Sequence, residues 1–189
     1  MIRDPLYQDI ISGLNKTLDP ELFEHCAVDL LRSDWPTIVP IRGGSDAGMD
    51  GAIADGQGTP FPFVCTTGED VIGNLTKNLD SYKESGGRRR KVIVATNQKL
   101  SPQRIQNLGK RAEELGFTLI QTYAQDAIAD LLYRNPGWCK ELLDLTGNPP
   151  PLSVLPIITR PLIGESLIGR DDDLTWLRET AGDLLVVGQ

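Results

Sequence analysis

The sequence holds a single histidine, His25, and only three cysteines, Cys26, Cys65 and Cys139. One histidine leaves one candidate base for a Ser-His-Asp or Cys-His mechanism, and no partner arrangement stands around it. Three widely spaced cysteines, odd in number and with one His, form neither a zinc-finger pattern nor a disulfide framework. No apolar run reaches the roughly 18 residues that span a bilayer, and the first seven residues lack the apolar core of a signal peptide. These features point to a reducing, cytoplasmic setting with no membrane partner. Positive charge is also short: 19 Lys and Arg stand against 26 Asp and Glu, a net charge of −7. Such a chain does not coat nucleic acid through bulk charge, so any contact of that kind comes from a local patch.

What is present is ordinary globular material. Of 189 residues, 40% are hydrophobic and 24% charged, which excludes a disordered tail. The length suits one domain of roughly 100–200 residues with little left over.

Asp19-Pro20 opens a helix, with Asp19 as N-cap and Pro20 at its first position. Leu22, Phe23, Cys26, Ala27, Leu30 and Leu31 then form one apolar stripe, with Glu24 at its margin. An earlier helix is expected over 7–18. Strands are expected over 37–41, 50–54 and 61–67, the second after the loop Arg42-Gly43-Gly44-Ser45-Asp46-Ala47-Gly48. A helix over 69–82 carries Val71, Ile72, Leu75, Leu79 and Tyr82 inward and stops at Gly86-Gly87. The near-continuous apolar run 92–96 reads as a strand buried on both faces. Ser101-Pro102 caps a further helix with Ile105, Leu108, Ala112 and Leu115 inward and Gly116 as its stop. A strand over 117–123 and short helices over 126–133 and 138–145 complete an α/β layer architecture with a mixed sheet.

Composition changes after Gly147. Asn148-Pro149-Pro150-Pro151, Pro156 and Pro161 read as a stiff linker over 148–165. Three scattered tryptophans, Trp35, Trp138 and Trp176, read as packing residues. Arg88-Arg89-Arg90-Lys91 reads as a solvated loop tip or as a phosphate-contacting patch.

One cluster carries chemistry. A helix holds Glu24, a glycine-rich turn delivers Asp46 and Asp50, and the strand Val64-Cys65-Thr66-Thr67 runs alongside. Clustered carboxylates bind a hard divalent cation, which activates water and stabilises charge developing on a phosphate. Each residue also has a plainer reading: Asp46 and Asp50 shaping a turn, Glu24 solvated, Cys65 a small buried strand residue, Thr66 and Thr67 good strand formers.

The stretch Gly43-Gly44-Ser45-Asp46-Ala47-Gly48-Met49-Asp50-Gly51, preceded by Leu22-Phe23-Glu24 and Leu30-Leu31, resembles the Mrr-like type IV restriction endonucleases. These belong to the PD-(D/E)xK nuclease superfamily, whose core is helix, three strands, helix, strand. The resemblance covers about 20–96. It implies a restriction-endonuclease-like α/β fold over 1–147, a mixed β-sheet flanked by helices, acting on DNA. It also implies Asp50 and Glu24 as ligands of Mg²⁺ or Mn²⁺. The following strand should carry a (Glu/Gln)-x-Lys pair, and here the sequence departs. The favoured alignment sets Val64 and Thr66 at those places, and a one-residue shift sets Cys65 and Thr67 there. The candidate catalytic set is therefore Glu24, Asp50, Cys65, Thr66 and Thr67, with Lys77 on the next helix as a substitute cation.

A second resemblance lies at the other end. Leu167-Ile168-Gly169-Arg170-Asp171-Asp172-Asp173-Leu174 looks like the segment that introduces the nucleotide-binding domain of STAND-type NTPases. Residues 184–188 look like the strand leading into a Walker A loop, so 166–189 would be the start of such a domain, cut before its lysine. ATP would belong only to that missing downstream domain, through which copies would oligomerise. A nuclease domain ahead of a STAND NTPase resembles bacterial antiphage defence proteins, with the nuclease as effector. The alternative is a degenerate nuclease fold that binds nucleic acid or protein, or holds protomers together.

Overall fold

A computed structural model describes residues 4–41, 48–56 and 60–147. The loop bearing Asp46, the linker and the NTPase-like segment with Trp176 lie outside the described residues. Helix α1 spans Pro5–Leu14 and α2 spans Pro20–Leu30, followed by a 3-10 turn at Leu31–Ser33. Strands β1 (Ile38–Pro40), β2 (Gly51–Ile53) and β3 (Phe61–Thr66) come next. Helix α3 (Val71–Glu84) leads to β4 (Lys91–Thr96), and α4 (Pro102–Glu114) to β5 (Thr118–Tyr123). Helices α5 (Gln125–Tyr133) and α6 (Pro136–Leu143) follow.

The helix starts follow from capping chemistry. Asp4, Asp19, Asp70 and Ser101 each accept a hydrogen bond from a backbone N–H in the first turn. Pro5, Pro20 and Pro102 sit where a missing N–H costs nothing. Helices α3 and α4 are followed by Gly86 and Gly116, whose φ of +83° and +80° suit only glycine at low cost.

The sheet has five strands in the order β1-β2-β3-β4-β5. The first three pair antiparallel and the last three parallel, so it is mixed. Parallel neighbours need crossovers, which α3 and α4 supply. Two apolar layers result. Phe61, Phe63, Cys65, Ile93 and Ala95 point toward α1, α2, α5 and α6, burying Phe23, Cys26, Leu31 and Ile128. Val64, Val92 and Val94 point the other way, against Val71, Leu75 and Leu79 of α3 and Leu108 of α4. Burial on both faces explains why β3 and β4 read as unbroken apolar runs.

One detail differs from the sequence reading. Ile105 is exposed on α4, where the expected stripe put it inward; the buried stripe there is only Leu108 and Ala112, with Leu115 half-buried. Val64 packs in the α3–α4 layer, whereas Cys65 packs toward α2. Trp35 packs edge-on against Phe61 at 6.1 Å, and Trp138 donates to Asp29 at 2.7 Å. No helix among the described residues is long and apolar enough to cross a membrane.

Candidate functional site

Asp50 stands immediately before β2, where the antiparallel ladder ends. Its backbone N–H donates to Phe63 O at 3.1 Å, and its carbonyl accepts from Ile41 N at 3.2 Å. The register Gly51↔Phe63 would bring residue 49 opposite residue 65, but the ladder has stopped. The Asp50 side chain takes over: its Oδ2 accepts the Cys65 N–H at 2.6 Å. A backbone donor that a further strand residue would have paired is thus satisfied by a carboxylate, as a buried N–H requires.

Gly48 makes that placement possible. Its φ is +75°, and a Cβ there would lie 2.0 Å from Asn78 O and 2.7 Å from Tyr82 N. The chain therefore crosses α3 backbone against backbone. Two residues later Asp50 emerges beside the middle of that helix.

Asp50 opens onto a cleft of about 370 Å³. Glu24 borders it from α2, Cys65 to Gly68 from the end of β3, and Asn74, Lys77 and Asn78 from α3. The whole candidate catalytic set borders this one cleft, and so does Lys77: Glu24, Asp50, Cys65, Thr66, Thr67 and Lys77. Glu24 and Asp50 are half-buried, whereas Lys77 is exposed. The Cys65 thiol is buried, and its pKa is pushed well above the ordinary 9.0. Burial is the main cause, and the negative charges of Asp50 and Glu24 push the same way. Both carboxylates thus act on one thiol, which stays protonated and is a poor nucleophile or metal ligand.

The two threonines differ. Thr66 Oγ1 accepts from Gly68 N at 3.1 Å, which shapes the turn out of β3. Thr67 is half-buried, and its carbonyl accepts from Gln98 Nε2 at 2.9 Å. Sequence reasoning missed three residues here. Gln98 ties the rim of the cleft to the end of β4. Asn74 and Asn78 line the wall, with Asn78 Nδ2 donating to Asn74 Oδ1 at 3.1 Å. Two asparagines four residues apart on the polar face of a helix were the available signal.

Among the described residues, no three His, Cys, Asp or Glu side chains gather as a cation-binding group. Two carboxylates are what the cleft offers. That set does not suit zinc, which takes three or four protein ligands. It suits Mg²⁺, which keeps several waters and takes one or two carboxylates plus substrate phosphate.

No protein-family model, curated protein or solved structure matches the chain. The reading of the site therefore rests on its own chemistry and on the motif resemblance. A pair of carboxylates, a lysine and a hydroxyl around one open cleft can bind a hard cation, offset phosphate charge and orient water.

Proposed function

We propose that the cleft hydrolyses phosphodiester bonds of DNA with Mg²⁺ or Mn²⁺, as a PD-(D/E)xK-type endonuclease. One observation carries this reading. Glu24, Asp50 and Lys77 come from three separate elements, α2, the turn before β2 and α3, and border the same cleft. In this reading Asp50 and Glu24 would hold the cation. Bound there, it would supply a more acidic water and electrostatic relief for the phosphate. Lys77 takes the role that the motif gives to a strand lysine, reaching from α3 toward the phosphate with its ammonium group. The Thr67 hydroxyl orients the attacking water. Cys65 contributes its backbone N–H, which fixes the Asp50 carboxylate, and its thiol stays neutral. Thr66 forms the turn that presents Thr67.

The resemblance of 167–174 to the entry of a STAND NTPase supports an effector role in a larger defence protein, with copies gathered through the downstream domain. A second reading has its own support. No lysine stands on β3, so a degenerate nuclease fold that binds without cutting also fits the sequence.

Plasmid cleavage with Mg²⁺ or Mn²⁺ tests the proposal, comparing wild type with Asp50→Asn. The asparagine amide keeps an oxygen to accept the Cys65 N–H, so the fold is retained. The nuclease reading expects loss of cutting by at least ~10²-fold, the scale of removing one electrostatic stabiliser. Equal cutting by both proteins would remove Asp50 from the mechanism. No cutting by either, in a preparation assembled with its downstream domain, would favour the binding module.

A further inference from the structure

We propose that α3 carries duplex DNA out of the cleft along one polar face, and that Arg88 holds a backbone phosphate at the far end. The inference deepens the nuclease reading and rests on it for the position of the scissile phosphate.

Asn74, Lys77, Asn78 and Ser81 recur at helical spacing and share one stripe of α3 with no apolar member. Ser85 and Arg88 lie beyond the helix, in a turn where Gly86 takes φ +83° and the Gly87 N–H donates back to Tyr82 O. The apolar stripe of Val71, Leu75, Leu79 and Tyr82 lies beside it and faces the core. The first half of the polar stripe walls the cleft. The turn after α3 walls another concavity of about 520 Å³, lined among others by Ile41, Met49, Ala52, Tyr82, Ser85 and Arg88. Between the residues of the two linings, Gly48 packs against α3 at Asn78 and Tyr82.

Charge favours the same direction. Residues 85–91 carry four cations and no carboxylate in an otherwise acidic chain. Their roles differ. Arg89 and Lys91 pair with Asp55. Arg90 donates to Gly87 O at 2.8 Å and stacks 5.2 Å from the Phe117 ring centre. Arg88 is exposed and, among the described residues, makes no ion pair, like Lys77. Asp80 and Glu84 fall at the margin of the stripe, and Lys83 pairs with Asp80 at 2.8 Å. Lys77 borders the first hollow and Arg88 the second, so each hollow has a cation for a phosphate. Phosphate contacts of this kind fix the register of a duplex without reading its bases.

The test is duplex binding by the 189-residue chain without divalent cation, across 50–200 mM salt. A fluorescent 20-base-pair DNA is the probe. Wild type, Arg88→Gln and Arg134→Gln are compared; Arg134 is exposed at the end of α5, away from both hollows. The proposal expects Arg88→Gln to bind several-fold more weakly at 50 mM salt. It also expects the slope of log affinity against log salt to flatten by about 0.9, one phosphate contact, with Arg134→Gln matching wild type. Equal slopes for the two variants overturn the proposal and leave the nuclease reading to the cleavage assay. Absence of duplex binding by wild type overturns it as well. Binding that depends on Arg88, in a protein whose cutting does not depend on Asp50, upholds the track and removes the nuclease role.

Discussion

Asp50 does two things with one carboxylate. It satisfies the Cys65 N–H where the β2–β3 ladder stops, at 2.6 Å, and it borders the cleft. The first role holds the side chain in place and so prepares the second. Glu24 and Asp50 bring two negative charges to the cleft and Lys77 one positive, which leaves the cleft suited to a cation and then to a phosphate. If Lys77 serves the motif's cation role, Lys77→Ala will lower cleavage by about 10²-fold while duplex affinity changes little. Lys77→Arg will recover part of that loss, because charge is kept and shape is not. Single-turnover cleavage at saturating protein measures both, and an unchanged rate in Lys77→Ala would exclude the lysine. At this scale the sequence was legible for side-chain type and ambiguous for direction. Val64 and Cys65 differ by one residue, and a strand turns that step into opposite faces of the sheet. The fold shows which layer each packs in: Cys65 toward α2, Val64 toward α3 and α4.

The element that matters most is α3. It supplies a crossover between parallel strands and a wall of the cleft, with Asn74, Lys77 and Asn78 at the cleft. Its contact with Gly48 is the tightest backbone approach around the site, because a Cβ there would lie 2.0 Å from Asn78 O. Gly48→Ala is expected to destabilise the protein by about 2 kcal/mol or more, from the left-handed φ and the clash together. Urea unfolding measures it; a midpoint equal to wild type would contradict the packing described. Elements were the most legible part of the sequence. Asp19-Pro20 and Ser101-Pro102 marked helix starts through local chemistry that tertiary contacts did not override. Ile105 was misplaced because α4 buries only a narrow face, Leu108 and Ala112, which helical periodicity alone does not delimit. Gln98 was missed because its role, accepted by Thr67 O, depends on β3 and β4 being neighbours.

At the scale of the whole molecule, the thiols give a direct reading of the core. Burial pushes Cys65 and Cys26 well above the ordinary 9.0, and it raises Cys139 too. A group whose folded pKa is raised keeps the folded state stable below the unfolded pKa. Unfolding then releases protons above it, so stability should hold at pH 7–8 and fall as pH rises past about 9. Tyr123, raised from 10.0 to about 12 by burial and its bond to Asp34, adds to the fall at higher pH. Urea midpoints at pH 7, 9 and 10.5 check this, and a midpoint that rises with pH would contradict it. That the sheet is mixed was legible from spacing and apolar runs, whereas the order of its pairs emerged only in the fold. The cleft was legible only as a set of residues, because nothing local shows that α2, the turn before β2 and α3 meet. That meeting is the central claim, and Mn²⁺ binding by the 189-residue chain tests it most directly, without requiring an assembled nuclease. Titration followed by electron paramagnetic resonance should find one bound ion in wild type, lost in Asp50→Asn and weakened in Glu24→Gln. Binding that ignores both substitutions, or no binding by wild type, would contradict the account.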